Sequence, residues 1–450
     1  MSFVKLLFLA SLGMIVGVAA AAQESQLTLR QAVDLALEKN PAVVSSRADV
    51  DVARADAMLG RAALLPHVHF IEDISIGDDA VYAFGTKLRQ GRFTESDFAL
   101  NALNSPSPIG NYATRVSGTW TAFDWLKTEN QIRGADLMQK SASSSSVHVD
   151  QQVVLKVVHA FQSVLYAQRQ IDVTQHQLET AQALFQTVQT RVTAGLAVES
   201  DLMSAQVNVA ERKQERFAAD GALDTSWAEL EAVIGTPLTP RPLLRPIELR
   251  HFPEGSLSDE IAMGLKARPD LRALNQERSA QRESVRAAKA DFAPQINVYG
   301  NWEADRPSFA GSGGNNWVTG VQLDLDVLPL AKRAHLAEEQ ALRRKADAQV
   351  SAAEQQIRLS VSRAHSERHT AEQTLDTAQA ATAQAAESLR IIRNRYEAGL
   401  TTVTDLLRAE DAQRQNQVDY WRAVYENAVA YAQLLYATGT LTPDSAEDLQ

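Results

Sequence analysis

The chain repeats itself, and that repeat constrains the fold more than any single motif. Arg191-x3-Gly195-Leu196-x4-Asp201-Leu202 returns 204 residues later as Arg395-x3-Gly399-Leu400-x4-Asp405-Leu406. Leu29-x3-Val33-x3-Leu37-x3-Pro41 returns as Leu257-x3-Ile261-x3-Leu265-x3-Pro269, and Leu65-Pro66 as Ala293-Pro294, both at an offset of 228. Gly118 matches Gly320 at 202. The two halves therefore share one order: short helix, proline, helix, proline, strand, loop, strand, long helix, turn, helix. The drop in offset from 228 to 202 assigns 26 extra residues to the loop of the first half.

No proline lies between Pro108 and Pro237, or between Pro329 and Pro443. These stretches are the helical blocks, because a proline inside a helix removes a hydrogen bond and clashes with the preceding turn. In the first block Val154, Val157, Phe161, Val164, Gln168, Ile171, Gln175 and Leu178 follow three-four spacing. That is a coiled-coil seam, loosened by its glutamines. A helix over about 127–194 would be roughly 100 Å long at about 1.5 Å per residue. The run Ser143–Ser146 offers a break but has no glycine or proline to make one. Gly195 and Gly399 are placed to end the long helices in the left-handed conformation. Leu196 and Leu400 are then expected to pack back on the last turn, with Ser200 or Thr404, just before each Asp, capping the return helix.

Between these blocks the pattern changes to period two. Ile296, Val298, Gly300 and Trp302 alternate with Gln295, Asn297, Tyr299, Asn301 and Glu303. Trp317, Thr319, Val321, Leu323, Leu325 and Val327 alternate with Val318, Gly320, Gln322, Asp324 and Asp326. The first half offers Val68, Phe70, Ile74 and Ile76, then Tyr112, Thr114, Val116, Gly118, Trp120 and Ala122, with noise at Ile71–Asp73. Segments of about ten residues suit tilted strands that cross a bilayer, and Tyr112, Trp120, Trp302 and Trp317 suit an interfacial girdle. Soluble half-buried hairpins would alternate in the same way. Four strands cannot close a barrel, and open edges in lipid would strand backbone polar groups, so membrane strands here require several copies. Periodicity alone leaves two, three or four copies open.

The remaining chemistry is sparse. Lys5, the apolar run from Leu6 to Val18 and the Ala20-Ala21-Ala22 end have the form of a secretory signal peptide, with cleavage before Gln23. The chain has no cysteine, so no disulfide, thiol nucleophile or lipid-modified cysteine is available. A net charge of −11 argues against nucleic acid as a partner. His67 and His69 share a strand face without a third ligand. His365 and His369 lie in HSERH, which lacks the glutamate that a zinc-protease helix places after its first histidine. With no Walker, Rossmann or G-x-S-x-G motif, neither catalysis nor a cofactor is expected.

Taken in order, LTLRQAVDLALEKNP, FGTKLRQGRFTESDF with ALNSP after it, and RYEAGLTTVTDLLRAED resemble the TolC-like outer-membrane efflux family, from about residue 27 to 439. The resemblance implies a mainly α chain with a membrane β-barrel. Long antiparallel helical hairpins would build a periplasmic tunnel, and four strands from each chain of a homotrimer would build a 12-stranded barrel. It implies an exit duct for an efflux or type I secretion system, with a periplasmic adaptor protein, an inner-membrane transporter and outer-membrane lipid as partners. Gly195, Leu196, Gly399 and Leu400 match the family's adaptor-contacting tips. Asp405 matches a constricting ring of aspartates, and Asp201 and Tyr396 match positions that link the hairpins. Two positions depart from the pattern: Thr401 stands in place of an Arg, and Arg408 in place of a second Asp, which suggests pairing of Arg408 with Asp405 or Asp411. The expected division is a signal peptide at 1–22 and a first repeat at 23–250, with a strand hairpin about 66–124 and a tip about 193–201. A second repeat at 251–440 has its hairpin about 294–328 and tip about 397–405, and 441–450 form a tail. A periplasmic or surface coiled-coil scaffold without channel activity is the competing expectation.

Overall fold

The computed structural model describes residues 26–245, 252 and 255–447. The expected signal peptide and its cleavage point lie outside the described residues, as does the end of the tail.

Each half begins with a pair of short helices. α1 (Leu29–Lys39) starts from a capping box in which Thr28 and Gln31 satisfy each other's backbone N–H groups. α2 (Pro41–Ala62) and its counterpart α8 (Pro269–Ala290), which follows α7 (Leu257–Ala267), both start on proline. At that position the missing N–H is not needed, which explains why Pro41 and Pro269 recur. The long helices are α5 (Lys127–Thr193) and α9 (Leu330–Glu397), and each returns along a shorter helix, α6 (Glu199–Ile234) or α10 (Val403–Ala437). α5 runs unbroken through Ser143–Ser146. The serines there let neighbouring helices approach: Ser146 meets Ser46 of α2 at 3.0 Å, and Ser144 meets Gln276 of α8 at 2.9 Å. Lower down, Val154, Val157, Val158 and Phe161 of α5 pack with Leu29 and Val33 of α1 and with Trp227, Leu230 and Ile234 of α6. A short helix α11 (Pro443–Glu447) follows α10.

The sheet has the order β1-β2-β3-β4, all antiparallel: β1 (His67–Gly77), β2 (Ile109–Phe123), β3 (Gln295–Arg306) and β4 (Gly314–Asp324). The cross-strand register sorts the side chains into two faces. Phe70, Val116, Trp302 and Trp317 stand in one row, and Trp120, Val298 and Val321 in another on the same face. Val68, Phe70, Ile74, Ile76, Trp317, Val321 and Leu323 on this face are all exposed. The opposite face carries His69, Ser117 and Asn301 in one row and His67, Thr119 and Tyr299 in the next. An exposed apolar face backed by a polar one is the pattern of a barrel wall between lipid and an aqueous lumen. Within one protomer β1 and β4 are open edges.

The structure adjusts the sequence reading in four places. The noise at Ile71–Asp73 is not a break: β1 is continuous, and the outward Glu72 is held by Arg306 at 3.2 Å and by Thr114. Gly118 and Gly320 lie on opposite faces, because a register shift between Thr121 and Phe123 offsets β2 by one residue. Such a bulge flips the later side chains, so Ala122 leaves the face of Trp120. β4 ends at Asp324, so Leu325 and Val327 lie beyond it. Finally, the long β1–β2 connection is folded. It contains α3 (Ala80–Arg89), a 3-10 turn (Glu95–Phe98) and α4 (Leu100–Asn104).

Candidate functional site

The two helical tips share one backbone path. At the first, Leu196 N–H donates to Arg191 C=O at 2.8 Å and Gly195 N–H to Val192 C=O at 2.9 Å. At the second, Leu400 N–H donates to Arg395 C=O at 2.8 Å and Gly399 N–H to Tyr396 C=O at 3.0 Å. This is the Schellman pattern of helix termination. Both glycines have φ of +74°, and a Cβ would meet nothing within 4 Å at either. Backbone handedness alone therefore demands glycine here. The leucines do not pack back as expected: Leu196 is 78% exposed and Leu400 69%. The return helices also start differently from expectation. α10 is capped by Thr402, not Thr404, in a box with Asp405, while α6 begins after Val198 with no capping side chain.

Below the tips, the two hairpins are fastened by apolar and polar contacts. Leu184 and Val188 of α5, Ala205 of α6, Leu389 and Tyr396 of α9, and Val403 and Leu406 of α10 form one buried cluster. Arg191 crosses from the first hairpin to the second. Its guanidinium lies 4.8 Å from the centre of the Tyr396 ring and donates to the carbonyls of Tyr396 and Glu397 at 3.5 and 3.4 Å. It thereby combines a cation–π contact with hydrogen bonds to two carbonyls at the end of α9, that of Tyr396 being shared with Gly399 N–H. Farther from the tips, the buried Arg212 of α6 bonds Glu215 at 2.7 Å and Asp411 of α10 at 2.8 Å. Neither arginine was singled out for this role from sequence. Arg191 opens the repeated motif, so its signal was present; nothing in the local pattern of Arg212 points to Asp411.

Tyr396 is buried at the hairpin junction, where its ring meets Arg191, and no hydrogen bond joins it to Asp201 among the described residues. Asp201 lies in the first turn of α6, its carboxylate without a partner among the described residues. Asp405 Oδ2 accepts from the hydroxyls of Thr402 at 2.7 Å and Thr401 at 2.8 Å. Those two hydroxyls hold its carboxyl below the usual carboxylate range. Thr401 is thus a direct partner of Asp405. Arg408 is exposed and makes no close ion pair among the described residues, although its positive charge adds to the lowering of the Asp405 carboxyl; Asp411 is already held by Arg212. Among the histidines, His365 meets Glu260 at 2.9 Å and His369 meets Gln373 at 3.0 Å.

A sheet sided for lipid and water, mounted on helical hairpins whose long arms have 67 and 68 residues and end in matching tips, defines a protomer of an outer-membrane channel. A family model described as outer membrane efflux protein matches residues 32–236 and 261–440. The chain belongs to that family and is an outer-membrane exit duct of an efflux or type I secretion system, with a periplasmic helical tunnel. Its relatives include the alkaline protease secretion protein AprF of Pseudomonas aeruginosa, 24% identical across 92% of this chain and 85% of that one. Outer membrane protein OprJ of the same organism is 25% identical across 91% and 84%. The fold matches the Campylobacter jejuni CmeC outer membrane channel with a TM-score of 0.80, at 17% identity, over 93% of this chain and 88% of that one.

Proposed function

We propose that three copies close their sheets into a 12-stranded barrel, and that six tips, two from each chain, form the periplasmic entrance. The duct conducts passively and performs no catalysis. Gly195-Leu196 and Gly399-Leu400 present bare leucines to a periplasmic adaptor, which connects the duct to an inner-membrane transporter. Asp405 forms a threefold acidic ring. Three carboxylates held in their charged form favour cations at a narrow point. Asp201 and Arg408, without a hydrogen bond or close ion pair among the described residues, face neighbouring hairpins, while Tyr396 under Arg191 holds the two hairpins of one chain together. By the internal repeat, Arg395 reaches the α5 end of the next protomer as Arg191 reaches the α9 end of its own.

The observation that carries the reading is the two-faced sheet with two open edges, which is stable in lipid only when other copies complete it. Purified protein is expected to run as a heat-modifiable trimer and to give discrete single-channel currents in planar bilayers. A detergent-free soluble monomer with no conductance would instead support a coiled-coil scaffold.

A further inference from the structure

The β1–β2 connection does not extend away from the sheet; it folds onto the polar, lumen-side face. The Tyr82 hydroxyl donates to Ser75 of β1 at 3.0 Å, and its ring lies against Gly77. The Gln90 amide donates to Gly110 C=O and Asn111 Oδ1 of β2 at 2.9 and 3.0 Å, and Asn111 donates to Asp305 of β3 at 2.6 Å. Arg89 pairs with Glu303 at 3.2 Å, and its carbonyl runs so close to Gly314 of β4 that a Cβ there would sit 2.1 Å away. Gln90 and Asn111 are buried, and Asp305 is 0% exposed. The connection therefore touches all four strands at the end remote from the helices.

Its dimensions fit a helix laid across the wall. α3 has ten residues, about 15 Å. Four strands span three spacings, about 14 Å. The unit is stiffened by the Phe84, Phe93 and Phe98 rings, with Phe93 4.7 Å from Phe84 and 5.0 Å from Phe98, and by Lys87–Asp97 at 2.7 Å. Twelve strands about 4.8 Å apart, tilted by about 40°, enclose a barrel roughly 24 Å across between backbones. A helix on the inner wall occupies about 10 Å of radius. Three such helices therefore leave a central gap of only a few ångströms.

We propose that α3 and its flanking turns form a sieve inside the exit of the barrel, which restricts the cargo of this duct to small solutes and excludes polypeptide chains. The proposal rests on the trimeric-duct reading, and the test separates the two. The chain contains no cysteine, so Thr119→Cys places a single thiol on the lumen face, deep to α3. Intact cells are treated from outside with N-ethylmaleimide or with a maleimide carrying a long polyethylene glycol chain. The small reagent is expected to label Thr119→Cys and the large one to fail. Replacing residues 79–107 with a short Gly-Ser connection should raise large-reagent labelling by more than about tenfold, since thiol modification follows access. Arg89→Ala combined with Gln90→Ala, which unlatches the helix at full loop length, should raise it in the same direction. Large-reagent labelling of Thr119→Cys that is as fast with the native connection as without it overturns the sieve and leaves the duct. If Thr119→Cys reacts with neither reagent in any of these forms until the protein is denatured, the thiol does not face a lumen, and both readings fall.

Discussion

Arg212 and Asp411 lie on helices from different hairpins and meet at 2.8 Å, with Arg212 buried and Asp411 half in water. The bond ties α6 to α10 where those helices otherwise barely meet. Because Asp411 keeps part of its hydration, losing it costs less than breaking a fully buried pair. Asp411→Asn is expected to weaken the tie between the two hairpins by about 1 kcal/mol, about fivefold in the ratio of joined to parted hairpins. Single-channel recording should show longer open dwell times. Unchanged gating would reduce the contact to a structural tie.

Arg191 and Arg395 hold equivalent places in the repeat but differ within the protomer. Arg191 caps α9, whereas Arg395 is exposed with no side-chain partner among the described residues. Arg191→Ala should loosen the two hairpins of one chain, and Arg395→Ala should lower the temperature at which trimers separate on a gel. If Arg395→Ala leaves trimer dissociation unchanged, the pseudo-sixfold ring of arginine caps does not exist.

Asp405 has its carboxyl lowered by the hydroxyls of Thr402 and then Thr401. A lowered folded value keeps the charge, and the stability it contributes, at every pH above the ordinary carboxylate range; both are lost only as pH falls through the lowered value. Cation preference, read from reversal potentials, should therefore survive mild acid and disappear in Asp405→Asn. Thr401→Ala should move its loss to higher pH. A preference identical in Asp405→Asn would place the selective point elsewhere.

In the β1–β2 connection, the Asp97 carboxyl is held at about 2 by Lys87 and by the backbone and hydroxyl of Thr94. Its contribution is complete above the ordinary carboxylate range and is lost progressively as pH falls from there through about 2, so part of it remains at about pH 3. Pepsin added outside intact cells at about pH 3 should leave the native connection whole and cut Asp97→Asn. Equal cutting of both would mean the connection is not braced by this pair.

Leu196 and Leu400 are free of the protomer's own core. Leu196→Ser with Leu400→Ser should leave trimer yield and barrel conductance unchanged while abolishing cross-linking to the adaptor and export. Loss of trimers would show instead that the leucines serve folding.

Much of this was legible in the chain because repetition and period are local. Pro41 and Pro269 marked helix starts, Gly195 and Gly399 marked the tips, and Trp317, Val321 and Leu323 marked one face of a strand. What was not legible depended on lateral placement. Arg212–Asp411 arises from how two hairpins lie side by side, which no spacing within either helix encodes. Gln90 on Gly110 and Asn111 requires the connection to fold inward; the 26-residue excess and the run FGTKLRQGRFTESDF marked the connection but not the way it turns. The bulge at Thr121–Phe123 was hidden because one slipped residue leaves an even-looking alternation on both sides.

The sheet order β1-β2-β3-β4 leaves each chain with two unfinished borders, so every copy is a link between two others. A variant that keeps β1 but cannot offer β4 would still be recruited and would then leave the ring unsealed. Co-expressed in equal amounts with the normal chain and mixing at random, it would leave about one assembly in eight intact. Genetic dominance of such alleles is therefore written into the strand order.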